Sequence, residues 1–168
     1  MKKNLCALIF LVSFLTSCTG YQLGGQKPVH LAAIESFYVP LAKNHTLFPR
    51  IEANLTNEVV SALVNDGTYA VRDSEKADAT LKLEVAKINY RQIRSDNEDT
   101  LRSDELELQV LISWAVQTST GSILEKGTAT GRTRFFVADN LQTARRNAVP
   151  DAVEQAATDI VARLADGF

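Results

Sequence analysis

The sequence predicts an α+β fold: a four-stranded mixed sheet with two helices packed on one face, in the order β-α-β-β-β-α. Three observations carry this. Leu106, Leu108, Val110, Ile112, Trp114 and Val116 alternate with Glu105, Glu107, Gln109, Ser113 and Gln117, the two-residue period of a half-buried strand. Ile51, Leu55, Val59, Ala62 and Leu63 recur at three- and four-residue spacing, one apolar stripe of a helix. A second such edge runs through Leu141, Ala144, Ala148, Ala152, Val153, Ala156, Ile160 and Leu164, its alanines suited to close approach to a sheet.

The first element is a strand over Val29–Pro40, β-branched and aromatic and closed by a proline. The first helix follows, with Thr46 placed to cap it, Pro49 in a first turn where a missing N–H costs little, and Gly67 at a left-handed stop. The second strand begins near Ala79, where Leu81, Leu83 and Val85 alternate with Lys82 and Glu84. Its apolar parity then slips to Ile88 and Tyr90, which predicts a bulge near Ala86 or Lys87. A polar connection, Arg94–Asp104, leads into the alternating third strand. Taking Thr120 and Gly121 as a two-residue turn fixes the hairpin register by counting: Trp114 opposite Gly127, Val110 opposite Gly131, Leu106 opposite Phe135 and Glu107 opposite Arg134. Large side chains then cover glycines, and opposite charges meet on the polar face. Asp139 or Asn140 can cap the last helix, and Pro150 must kink it or begin a second helical piece.

The 168-residue chain is long enough for one domain and too short for two independent cores. Its N-terminus reads apart from that domain. Lys2 and Lys3 precede an apolar run from Leu5 to Leu15, the size of a signal-peptide core and well short of the ~20 residues that span a bilayer as a helix. The expected division is a signal peptide over 1–17, a tether over 18–28 and a single α+β domain over 29–168. LTSC, ending at Cys18, resembles the bacterial lipoprotein signal, in which the cysteine is lipidated and becomes the first mature residue. Thr19 in place of an aspartate is similar to sorting toward the outer membrane. The alternative is an incidental cysteine in an ordinary cleavage region. Cysteine arithmetic favours the anchor, because Cys6 lies in the discarded segment and leaves Cys18 no disulfide or metal partner.

Chemistry-bearing constellations are sparse. His30 and His45 have no HExxH context and no third zinc ligand. Asp96, Glu98 and Asp99 lack the glycine and terminal glutamate of a calcium loop. Ser17 and Ser36 have no nucleophile elbow, and GYQLGG has neither the strand nor the helix of a phosphate loop. No catalytic residue, metal or cofactor is expected. With Lys2 and Lys3 removed, 16 basic residues face 20 acidic ones, which argues against nucleic acid as the main ligand. Arg91, Arg94, Arg132, Arg134, Arg145 and Arg146 have two readings: a solvated, salt-bridged surface, above all for Arg134 with Glu107, or a patch for a phosphorylated lipid headgroup.

CTGYQLGG, the strand ending YVP, KNHTLFPRIEANLTNEVVSALVNDG and ADATLKLEV resemble the lipopolysaccharide-assembly lipoproteins (LptE type) of Gram-negative outer membranes. Gly20, Tyr21 and Gly24 are similar to the family's opening after its lipidated cysteine. Val39 and Pro40 match its first-strand end, Asn44, Thr46 and Pro49 its approach to helix one, and Ala77 and Asp78 its entry to strand two; the specific marks stop near Val85. The resemblance implies a non-enzymatic plug and folding partner of the large β-barrel of the lipopolysaccharide translocon, in a 1:1 heterodimer. It implies an outer-membrane protein, lipid-anchored through Cys18 on the periplasmic side, that assists lipopolysaccharide insertion into the outer leaflet. The family's lipid-contacting basic residues do not map by motif, so Arg132 and Arg134 are the candidate headgroup ligands from the residues alone. The alternative expectation is a free periplasm-facing lipoprotein that binds lipid or cell-wall fragments, or the accessory of another transporter.

Overall fold

The computed structural model describes residues 27–95, 103–137 and 140–167. The signal segment, Cys18, most of the tether, Asp139 and the acidic group at Asp96, Glu98 and Asp99 lie outside the described residues. A 3-10 turn at Val29–Leu31 precedes β1 (Ser36–Tyr38), β2 (Lys43–Asn44), α1 (Ile51–Asp66), β3 (Ala70–Val71), β4 (Ala79–Ser95), β5 (Ser103–Thr118), β6 (Ile123–Phe136) and α2 (Leu141–Asp166). The sheet runs β3-β1-β4-β5-β6, with β2 also beside β4. β1 and β2 lie parallel to β4, and β4, β5 and β6 are antiparallel. The α+β class, the mixed sheet and the two helices are as expected, but among the described residues the strands number six rather than four. The two extra strands are two residues long each, too short for any periodicity.

The strand expected over Val29–Pro40 contracts to Ser36–Tyr38. Its first residues form the 3-10 turn, closed by the Leu31 N–H on the Pro28 carbonyl at 2.9 Å, which drops Leu31 fully into the core. Thr46 does not cap α1. Its hydroxyl donates to Asn44 Oδ1 at 2.8 Å and accepts from the Phe48 N–H, while Arg50 takes the cap position at a left-handed φ of 66° with no side-chain cap bond. Gly67 ends the helix as expected, at φ 77° with its N–H on the Leu63 carbonyl. One stripe of α1, Ile51, Leu55, Val59 and Leu63, is fully buried.

The β4 bulge falls between Val85 and Lys87, where the parity slip placed it. The β5–β6 register is the counted one, with Trp114 opposite Gly127, Val110 opposite Gly131, Leu106 opposite Phe135 and Glu107 opposite Arg134. The turn itself differs. Gly121 N–H donates to Thr118 O and Thr118 N–H to Ser122 O, both at 2.9 Å, so the loop has three residues and ends on Gly121 at φ 86°, a left-handed position that suits glycine. The one-residue offset is absorbed by an irregularity between Val116 and Gln117, which is why the register beyond it is unchanged. Asn140 caps α2 by accepting from Thr143 N–H at 3.1 Å. Pro150 neither ends the helix nor starts another, since α2 is continuous through it.

α2 packs on β6 and β5, and α1 packs on α2 and β4, so among the described residues no element covers the opposite face of the long antiparallel blade. The approach of α2 is closest at Gly131: a Cβ there would land on the Ala152 carbonyl oxygen. At the other end of the core, the Tyr69 hydroxyl donates to the Leu164 carbonyl at 2.7 Å and Lys27 lies 4.6 Å from the Tyr69 ring centre. Burial, followed by the charges of Glu125 and Asp66, pushes that phenol up to about 12.

Asp78 staples β1 to the entry of β4. Its Oδ2 accepts from Ser36 Oγ at 2.8 Å, Ser36 N at 2.9 Å and Glu35 N at 3.0 Å. The Ser36 hydroxyl first, then the Glu35 N–H, hold its carboxyl below the ordinary range. A carboxyl depressed in the folded state adds stability that is present above its unfolded pKa, about 3.9, and lost as pH falls through the folded value. Asp78→Ala is therefore expected to lower the thermal midpoint at pH 7 and to flatten the fall in midpoint below about pH 4. Melts recorded across pH check this, and an unchanged midpoint at pH 7 would refute the staple.

Candidate functional site

The uncovered sheet face brings together three of the sequence's candidate arginines, Arg91, Arg132 and Arg134. Alternation sends even positions of β5 to the core and odd ones outward, and the registers line those odd positions up with β4 and β6. Three rows cross the face: Lys82, Ala115 and Lys126; Glu84, Ser113 and Thr128; Arg91, Glu107 and Arg134. Arg132 stands opposite Gln109, between the last row and Thr130. The outward cations Lys82, Arg91, Lys126, Arg132 and Arg134 outnumber the carboxylates Glu84, Glu105 and Glu107. A basic face thus sits on a chain of net charge −2. The Lys82–Thr128 end of it holds a shallow hollow of about 510 Å³.

Glu107 organises the other end of this face, with only 8% of its side chain exposed. Gln109 Nε2 donates to its Oε1 at 2.6 Å, Arg91 Nη2 lies 3.2 Å from the same oxygen, and Arg134 Nε lies 3.8 Å from Oε2. The Gln109 bond, and then the charges of Arg91, Arg134 and Arg132, hold Glu107 below the usual carboxylate range despite its loss of water. The expected cross-strand pairing of Arg134 with Glu107 is present, and Arg91 approaches more closely than Arg134. Counting missed Arg91 because its place opposite Glu107 depends on the bulge at Val85/Lys87. Arg132 is exposed, and its backbone N–H donates to Gln155 Oε1 of α2 at 2.7 Å, which fixes the outer edge of β6 there.

The structure divides the arginines the sequence grouped together. Arg132, Arg134 and Arg91 belong to the open face. Arg145 and Arg146 lie across the sheet, beside Tyr90 and the loop before α1, in a cleft of about 690 Å³. Its apolar wall had one sequence signal, the Leu47–Phe48 pair standing outside the helical spacing of α1. Burial pushes the Tyr90 phenol up, and the Arg145 charge pulls it back down.

His45 and Lys43 both approach Glu84, at 3.4 and 3.3 Å, and His30 meets Glu125 at 3.0 Å. Among the described residues no three His, Cys, Asp or Glu side chains are grouped to hold a metal, and no helix is long and apolar enough to cross a membrane, which says nothing of β-barrels. The arrangement presents a largely polar surface with basic groups suited to anions.

Residues 34–164 match the family model described as LptE, lipopolysaccharide-assembly. No curated protein sequence matches significantly. Three solved structures share the fold: a PelC dodecamer from Paraburkholderia phytofirmans (12% identity, 85% of this chain and 94% of that one, TM-score 0.54), protein XCC0632 from Xanthomonas campestris (16%, 84% and 90%, 0.55) and a minor lipoprotein from Acinetobacter baumannii (12%, 78% and 90%, 0.52). At such identities the likeness is one of fold.

Proposed function

The chain belongs to the lipopolysaccharide-assembly (LptE) family, and from that membership we propose that it is a non-enzymatic assembly factor of the Gram-negative outer membrane. In this reading it is lipid-anchored at Cys18 on the periplasmic side. It plugs and helps fold the β-barrel of the lipopolysaccharide translocon as a 1:1 heterodimer, and it assists lipopolysaccharide insertion into the outer leaflet. The observation that carries the reading is the uncovered β4–β5–β6 face. A long blade whose outward side chains are mostly charged, amide or hydroxyl suits the polar interior of a large barrel, and its cations suit phosphorylated headgroups. Arg132 and Arg134, the exposed pair on the edge strand, are the proposed headgroup contacts. Glu107 partly neutralises Arg134 and leaves Arg132 as the stronger of the two.

Native purification of the full-length lipoprotein from outer membranes tests the partner: a large barrel protein recovered in equal amount is expected. A stable monomer would instead favour a free periplasm-facing binding lipoprotein. For the ligand, Arg132→Ala with Arg134→Ala is expected to weaken binding of purified lipopolysaccharide, and unchanged binding would remove these residues from the proposal.

A further inference from the structure

We propose that the cleft between the loop before α1 and the first turns of α2 is a second binding site, for a phosphate group carried on an apolar chain. It lies on the helix-covered side of the sheet, so it is separate from Arg132 and Arg134, and it does not depend on the barrel partner. Its volume of about 690 Å³ is within the usual range of about 300–1,000 Å³ for small-ligand sites. Three arginines line it, Arg50, Arg145 and Arg146, and no acidic residue does. Among the described residues none of the three has a salt-bridge partner. Three arginines around one hollow, with no ion-pair partner among the described residues, suit an anion, and guanidinium geometry favours a phosphate.

The remaining walls say what the anion is attached to. Leu47, Phe48, Pro49, Tyr90 and Pro150 are apolar or aromatic, and Leu47 at the loop tip is fully exposed. An inorganic anion leaves those surfaces in water, whereas an alkyl chain covers them. Arg145 joins the two halves. Its guanidinium stacks 4.4 Å from the Tyr90 ring centre, so the cationic group and the aromatic wall are in direct contact. Arg50 lines the cleft at a left-handed φ of 66°, the only positive φ at a non-glycine residue among those described, a conformation that persists only where its surroundings enforce it.

Isothermal titration of the full-length lipoprotein in a neutral detergent, with the detergent blank subtracted, separates the ligand classes using octyl phosphate, inorganic phosphate and octanol. Octyl phosphate is expected to bind about tenfold more tightly than either of the others, a difference of about 1.4 kcal/mol. Arg145→Gln with Arg146→Gln should lose about tenfold of that affinity. Leu47→Ser, on an exposed loop tip, should weaken octyl phosphate without affecting inorganic phosphate, and Arg163→Gln, an exposed cation near the far end of α2, should change neither. Equal binding of octyl and inorganic phosphate, or equal affinity in the parent and the Arg145/Arg146 variant, would overturn the assignment. So would an equal loss of binding in the Arg163 variant.

Discussion

Gly131→Val is expected to cost about 3 kcal/mol or more of folding stability, the upper range for forcing volume into a packed core. The position offers no room to relax. A Cβ on Gly131 would meet the Ala152 carbonyl oxygen and then the Ala156 side chain, and backbone of a helix cannot swing aside as a side chain does. α2 would have to lift from β6, and Ala148, Ala152, Val153 and Ala156, all buried, would lose contact with the sheet together. Gly121→Asn is the control, because the turn glycine has open space around it and asparagine tolerates its positive φ better than other residues. Urea unfolding followed by circular dichroism measures both. Equal midpoints for Gly131→Val and the parent would show that α2 does not rest on β6 at this point.

Cys18→Ser is expected to abolish labelling by radioactive palmitate and to release the protein from the outer-membrane fraction, while leaving the unfolding midpoint of the domain unchanged. Stable anchoring requires more than one acyl chain, since a single chain binds a bilayer only reversibly, so loss of the proposed lipidation site is expected to remove the whole attachment. The domain should not register the change. The buried residues of the described core begin at Leu31, and the chain's first described contacts are those of Lys27 with the Ile34 carbonyl and the Tyr69 ring. Equal palmitate labelling of the two proteins would refute Cys18 as the anchor.

The sequence was most legible where one residue type repeats over a long element. The α1 stripe, the β4 bulge and the hairpin register follow from spacing alone, because burial on one face punishes a one-residue slip by reversing every side chain. It was least legible where tertiary contact decides. β2 and β3 exist only because β4 and β1 offer backbone partners to two-residue segments. Thr46 satisfies a local turn with Asn44 and Phe48 in place of the helix end. The candidate arginines looked like one group along the chain, yet strand alternation and the helix layer assign Arg132 and Arg134 to the open face and Arg145 and Arg146 to the cleft. Arg91 joins Glu107 only through the bulge that shifts β4 against β5.

The central claim is that the domain meets its barrel through the uncovered sheet face, and a photo-crosslinking residue at Thr128 tests it most directly. Thr128 is exposed on that face, on the edge strand β6, and Thr158 is exposed on α2. Crosslinking in intact cells at Thr128 is expected to give one adduct of the size of an outer-membrane barrel, with little or none from Thr158. A barrel adduct from Thr158 and none from Thr128 would contradict the account.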